Sequence, residues 1–200
     1  MTQHPHPHQV NGGDSSKEIA RLEGVVAAET KAIETDPGNA GAYFRRGVAY
    51  GQLVQPQLAV EDFSAAARLQ PDNAEAYYNR GMAHVHMQQL SFAIEDFTRA
   101  LDLDPKHIHA INNRAAAHYE AFQFERAIED AEQALALDPK TASAYAVRAM
   151  SRARLGDDEA ARDDTARAVE MGFDGRVLGA LVTQARMGRN DRKPKPPARS

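Results

Sequence analysis

The stretch AYYNRG at residues 76–81 is followed, after one helix-length run, by LDLDP at 101–105. The same hexapeptide shape appears as AYFRRG at 42–47, AINNRA at 110–115 and AYAVRA at 144–149. Its fifth letter is always arginine, while its fourth reads Arg45, Asn79, Asn113 and Val147. Other residues keep the same step of 34: Gly47, Gly81, Ala115 and Ala149; Pro71, Pro105 and Pro139; Ala59, Ala93, Ala127 and Ala161; Ala66, Ala100, Ala134 and Ala168. Phe63 and Phe97 share one phase and give way to Ala131 and Thr165. A fixed period of this length means one supersecondary unit copied along the chain.

Each copy holds two amphipathic runs. In FAIEDFTRALDL at 92–103, Phe92, Ala93, Phe97, Ala100, Leu101 and Leu103 are expected on one face. Runs this short are marginal as isolated helices, so neighbouring pairs must stack to bury their apolar faces. The small residues Gly47, Gly81, Ala115 and Ala149 let the first helix of a pair approach the second, with Phe63 and Phe97 filling between. The DP and QP breaks stop the second helix of a unit, because proline cannot continue it. Asp72 with Glu75 has capping-box spacing for the helix that follows.

The pattern Tyr43/Gly47/Tyr50/Ala59/Phe63/Ala66/Pro71 resembles the tetratricopeptide repeat position by position. The resemblance implies an all-α fold: a right-handed superhelical solenoid of 34-residue helix–turn–helix repeats with terminal capping helices. Four units are expected at 40–73, 74–107, 108–141 and 142–175, the last degenerate, with Phe173 where proline belongs. Residues 15–39 read as a leading half-repeat or cap, 176–188 as a closing helix, 1–14 as a disordered start and 189–200 as a basic disordered tail. In the closing helix Val177, Leu178, Leu181, Val182 and Ala185 are expected on one face, apolar towards the stack.

Arg46, Arg80, Arg114 and Arg148 lie 16 residues before Asp62, Asp96, Asp130 and Asp164. A pair repeated four times reads as structural ion pairs within or between units. The fourth letter of the hexapeptide faces the concave groove in the family. The resemblance therefore implies a binding row of Arg45, Asn79 and Asn113, extended by Asn112, with Phe44, Val48, Tyr78 and Met82 as apolar neighbours. A side-chain amide donates and accepts, so it can hold an extended backbone without selecting sequence. One turn further, His86 and Glu120 are expected to meet across neighbouring units. Chaperone-binding members clamp an acidic C-terminus with lysines. The matching positions here are Phe44 or Tyr78 and His109 or Ser143, so the clamp is absent.

The composition excludes much else. There is no cysteine, so thiolate metal sites, disulfides and cysteine nucleophiles are out. Net charge is −4, with no overall pull towards nucleic acid. No HExxH, GxxxxGK[ST] or GxGxxG motif occurs, and His84/His86 and His107/His109 are spaced so that each pair points apart on a helix. HPHPH at 4–8 reads as a loose segment rather than a metal site. The expectation is a non-enzymatic, cytoplasmic adaptor or scaffold with no cofactor, no metal and no small-molecule substrate. Its partner is a protein, offered as an extended peptide or a helix. Two alternatives remain. One is homo-oligomeric assembly through the last unit and closing helix, with Leu178 and Leu181 as contacts. The other is electrostatic binding of membrane or nucleic acid by the tail, since residues 186–200 carry six basic residues against Asp191, net +5, and leave −9 for the rest. In the fourth unit, Asp158–Arg162 and Asp163–Arg167 have the spacing of helix-supporting pairs.

Overall fold

The computed structural model describes residues 12–189. Ten helices follow one another and no strand occurs among the described residues. The chain divides into two compact units, one ending at Pro71 and one beginning at Asp72. The first holds α1 (Gly12–Thr35), α2 (Ala40–Gln52) and α3 (Pro56–Leu69). The second holds α4 (Ala74–His86), α5 (Leu90–Leu103), α6 (Ile108–Glu120), α7 (Phe124–Leu137), α8 (Ala142–Leu155), α9 (Asp158–Glu170) and α10 (Gly175–Met187). The HPHPH segment and the tail beyond Arg189 lie outside the described residues.

The helix starts form a repeat of their own. Asn39, Asn73 and His107 stand 34 residues apart and each accepts from the backbone N–H three residues on. The expected Asp72–Glu75 box is therefore corrected: Asn73 caps α4 through Ala76 N, one residue later than anticipated. Pro56 opens α3 at a position where its missing N–H costs nothing. Gly156, with φ of 101°, closes α8 in the left-handed conformation. In the corresponding turns Val54, Gln88 and Phe122 take positive φ despite having side chains.

Within a unit the two helices meet through the residues that set the period. A Cβ on Gly47 would come within 2.9 Å of the Phe63 ring, and one on Gly81 within 2.7 Å of the Phe97 ring. Where the later units place Ala115 and Ala149, the facing residue shrinks to Ala131 and Thr165. Each contact thus holds one ring or one methyl pair, not both. Ala93, Phe97 and Ala117 form one buried cluster, and Leu101, Ile111 and Leu135 belong to the next.

Two expected faces are corrected. Phe92 is 55% exposed and stacks on His84 at 5.3 Å, outside the α5 core stripe. On α10, Leu178, Val182 and Ala185 are buried against α8 and α9, while Val177 and Leu181 turn outward. Residues four and three apart line the contact, and Val177 and Leu181 fall on the adjacent stripe. The fourth unit keeps full-length helices, and Phe173 packs on the cluster shared with α10. The two helix-supporting pairs expected there are also re-partnered. Asp158 is taken by tertiary partners, Arg186 and Arg189, while Arg167 pairs within its own helix with Glu170, three residues on.

Candidate functional site

In the second unit the first helices of successive pairs approach one another, α4 to α6 and α6 to α8. No such approach joins α5 to α7 or α7 to α9 among the described residues. The first helices therefore lie on the inside of this unit's curve, and their outward rows face a common hollow.

Tyr78, Asn79, Met82, Asn112 and Asn113 lie half-buried on α4 and α6, and His86 and Glu120 are exposed at the helix ends. Asn113 Nδ2 donates to Tyr78 Oη at 3.1 Å and contacts Met82 Sδ at 3.2 Å. Asn79 Nδ2 donates to the Glu75 carbonyl at 2.8 Å, back along its own helix. Both leave a side-chain carbonyl oxygen without a partner among the described residues. Asn112 is oriented the other way: its Oδ1 accepts from Ser143 Oγ at 3.0 Å, and its Nδ2 remains available.

One neighbour whose role was unforeseen in the sequence holds this arrangement. His107, the N-cap of α6, stacks on the Tyr78 ring at 4.6 Å, and its Nε2 lies 3.2 Å from Glu75 Oε1. Because Nδ1 accepts from Ala110 N, Nε2 carries the proton. Burial, with the nearby Glu75 charge, pushes the Tyr78 hydroxyl pKa up, so it stays a neutral acceptor and donor. The clue to His107 was its place in the capping row of Asn39 and Asn73.

One expectation for this face is corrected. No hydrogen bond or ion pair joins His86 to Glu120 among the described residues; both side chains point into solvent. Val147 is buried with Ala115 and Ala127, and Ala146 packs against the α10 cluster, so α8 contributes no rung to the row. Met82, Asn113 and Glu120 line a cleft of only about 60 Å³, enough for a small group and not a large side chain.

Below this face lie the arginine–aspartate pairs. Arg80, Arg114 and Arg148 each reach their aspartate with Nε and Nη2 at 2.6–2.9 Å, a two-bond fork. Asp96, Asp130 and Asp164 are buried. A third group attends each carboxylate: His84 at 3.7 Å, His118 at 3.8 Å and Arg152 at 2.8 Å, again 34 residues apart. Arg114 Nη1 also donates to Thr98 Oγ1, and Arg148 lies 3.6 Å from Glu132, so these two arginines link their own pair to the preceding one. Burial lowers the His118 pKa, against the opposing pull of Gln123 and Asp130. These arginines are engaged in the scaffold's ion pairs.

In the first unit Arg46 makes the same fork to Asp62 and donates to Thr30 Oγ1 on α1. Arg45, expected to meet a ligand, is held by Glu29 through two bonds of 2.7 and 2.8 Å. That fork keeps the Glu29 carboxyl below its ordinary pKa. Phe44 packs at 5.6 Å from Phe63, and Val48 is half-buried.

Family models of the tetratricopeptide repeat match residues 40–73, 74–107 and 109–141. The chain belongs to the tetratricopeptide repeat family, and its fold is an all-α solenoid of these repeats. That family is one of protein-interaction scaffolds. A crystal structure of MamA is similar at a TM-score of 0.74 and 23% identity, covering 82% of this chain and 96% of that one. A MamA chain from Desulfovibrio magneticus RS-1 matches at 0.72 and 20%, covering 79% and 91%. YrrB, described as a protein of this repeat class with an unusual peptide-binding site, matches at 0.72 and 22%, covering 87% and 88%. At these identities the likeness is one of fold. A search of curated proteins gave no match. Among the described residues no helix is long and apolar enough to cross a membrane.

Proposed function

We propose that the inner face of α4 and α6 holds an extended segment of a partner protein, gripping its backbone. The observation that carries this is the opposed orientation of neighbouring amides. Asn79 and Asn113 offer carbonyl oxygens, and Asn112 offers N–H donors. An extended peptide presents N–H and C=O groups alternately, so such a row satisfies it without reading side chains. The face is already ordered by Tyr78, His107 and Ser143, which limits what binding must freeze. The peptide-binding site described for YrrB makes the reading reasonable for this fold without assigning it residues.

The test is to select peptides from a random twelve-residue display library on the full chain, then measure their affinity for wild type and for Asn79→Ala/Asn113→Ala. Each backbone hydrogen bond contributes about 0.5–1.5 kcal/mol, so losing two should weaken binding by about 1–3 kcal/mol, roughly 5- to 150-fold. Equal helicity by circular dichroism is required first. Unchanged affinity removes the amide row from the site.

A second reading rests on α10, where Val177 is 51% and Leu181 36% exposed on one stripe. An outward apolar stripe suits contact with a second copy. Leu178, expected as a contact, is fully buried and would report on packing instead. Light scattering that gives a single-chain mass for both wild type and Leu181→Glu disposes of this reading.

A further inference from the structure

Between α6, the α7–α8 turn and the α9–α10 turn lies a cleft of about 470 Å³. That volume falls in the range of small-ligand pockets, about 300–1,000 Å³. Ile108, Met171 and Phe173 supply its apolar wall, and Asn112, His109 and Asp138 its polar rim. All of it belongs to the second unit.

The cleft follows from the irregularity of the fourth repeat. Earlier units end in Pro71, Pro105 and Pro139; here the phase holds Phe173, preceded by Gly172 at φ of 97°. A left-handed residue reverses the chain where proline would extend it. The turn thereby carries Met171, 38% exposed, and the half-buried Phe173 to the wall of the opening.

We infer that this cleft receives a large apolar side chain of an extended peptide, and that Asp138 receives a basic residue next to it. The inference rests on the peptide-holding reading given above. Asn112 lies on the amide row and also lines the cleft, so the two are continuous. Its Oδ1 is occupied by Ser143, which turns its donors towards a peptide carbonyl. Asp138 is the formally charged side chain lining the cleft. Its oxygens accept from Lys140 N at 2.9 Å and from Thr141 Oγ1 at 3.4 Å. A carboxylate has about four acceptor positions, so it keeps capacity for a cation. The apolar wall excludes a strongly polar occupant, and the single negative charge sets the sign of the neighbour.

The experiment pans the same random twelve-residue library, displayed on phage, against the full chain as wild type and as Asp138→Lys. Wild type should enrich peptides with Leu, Ile, Met or Phe beside Lys or Arg. Asp138→Lys should keep the apolar residue and exchange the neighbour for Asp or Glu. Met171→Ser, at an exposed position that leaves the core untouched, should weaken a synthetic wild-type-selected peptide about tenfold. If enriched peptides lack the apolar–basic pair, or the charge preference survives Asp138→Lys, the cleft is not the subsite. The peptide-holding face then stands alone, provided Asn79→Ala/Asn113→Ala still weakens binding. If no peptide is enriched on wild type, both readings fall together.

Discussion

Gly81→Ala adds a single methyl where the structure allows none. The new Cβ would lie 2.7 Å from Phe97 Cε1, 2.9 Å from Cδ1 and 3.3 Å from the Ala93 carbonyl oxygen. The Phe97 ring is fully buried, so it has no solvent side to swing towards. Overpacking of this kind costs about 1–3 kcal/mol. Alanine recovers about 1 kcal/mol of helix propensity over glycine. The net expectation is a destabilisation of about 0–2 kcal/mol, too close to zero to argue from alone. A double-mutant cycle separates the two effects. Phe97→Ala alone should cost about 3–5 kcal/mol by opening a cavity. In Gly81→Ala/Phe97→Ala the clash is gone and the propensity gain is realised, so the double variant should be more stable than Phe97→Ala by about 1 kcal/mol. The resulting interaction energy is about 1–3 kcal/mol, well above the few tenths expected between independent sites. Gly24→Ala, where nothing lies within 4 Å of the added methyl, is the control and should stabilise. Urea titration followed by circular dichroism gives the overall change. Because repeat arrays can unfold in parts, hydrogen exchange of the α4 and α5 amides should localise it. An interaction energy indistinguishable from zero, or Gly81→Ala stabilising as much as Gly24→Ala, would refute the close-contact account of the repeat.

Arg114→Met leaves the buried Asp130 without its fork and should cost about 3–5 kcal/mol; Arg114→Met/Asp130→Leu should recover most of this on the same urea titration. The His118 pKa is lowered in the fold by burial, so the native state favours neutral imidazole. Its contribution is complete above the unfolded value of about 6.5 and is lost as pH falls through the folded value. His118→Gln should therefore flatten the stability profile below about pH 6.5, and an unchanged acid slope would remove the burial argument. Val54, 80% exposed at φ of 57°, holds a β-branched residue in the left-handed region. Val54→Asn should raise the melting temperature by relieving about 1 kcal/mol of strain, as read by calorimetry.

The sequence alone determined the period, and with it the helix pairs, their order and the aspartate partners of Arg46, Arg80, Arg114 and Arg148. Those properties are local or nearly so. Helix faces follow from a spacing of three and four, and two helices joined by a short turn must pack side by side, which brings Arg114 to Asp130 whatever the rest of the chain does. The capping row was equally legible, had Asn39, Asn73 and His107 been aligned. Tertiary structure decided everything that depends on what lies beyond a helix's own pair. Phe92 and Val177 have core composition but face solvent, because the neighbouring unit leaves their stripe uncovered. Asp158 abandons Arg162 for Arg186 and Arg189 at the C-terminal end of α10. Arg45 is paired with Glu29 rather than presented, and Val147 is buried rather than exposed on the groove. Above all, a cleft is a property of three separated segments at once. Ile108, Asp138 and Phe173 share no periodicity, and only the turn made by Gly172 brings them to one opening.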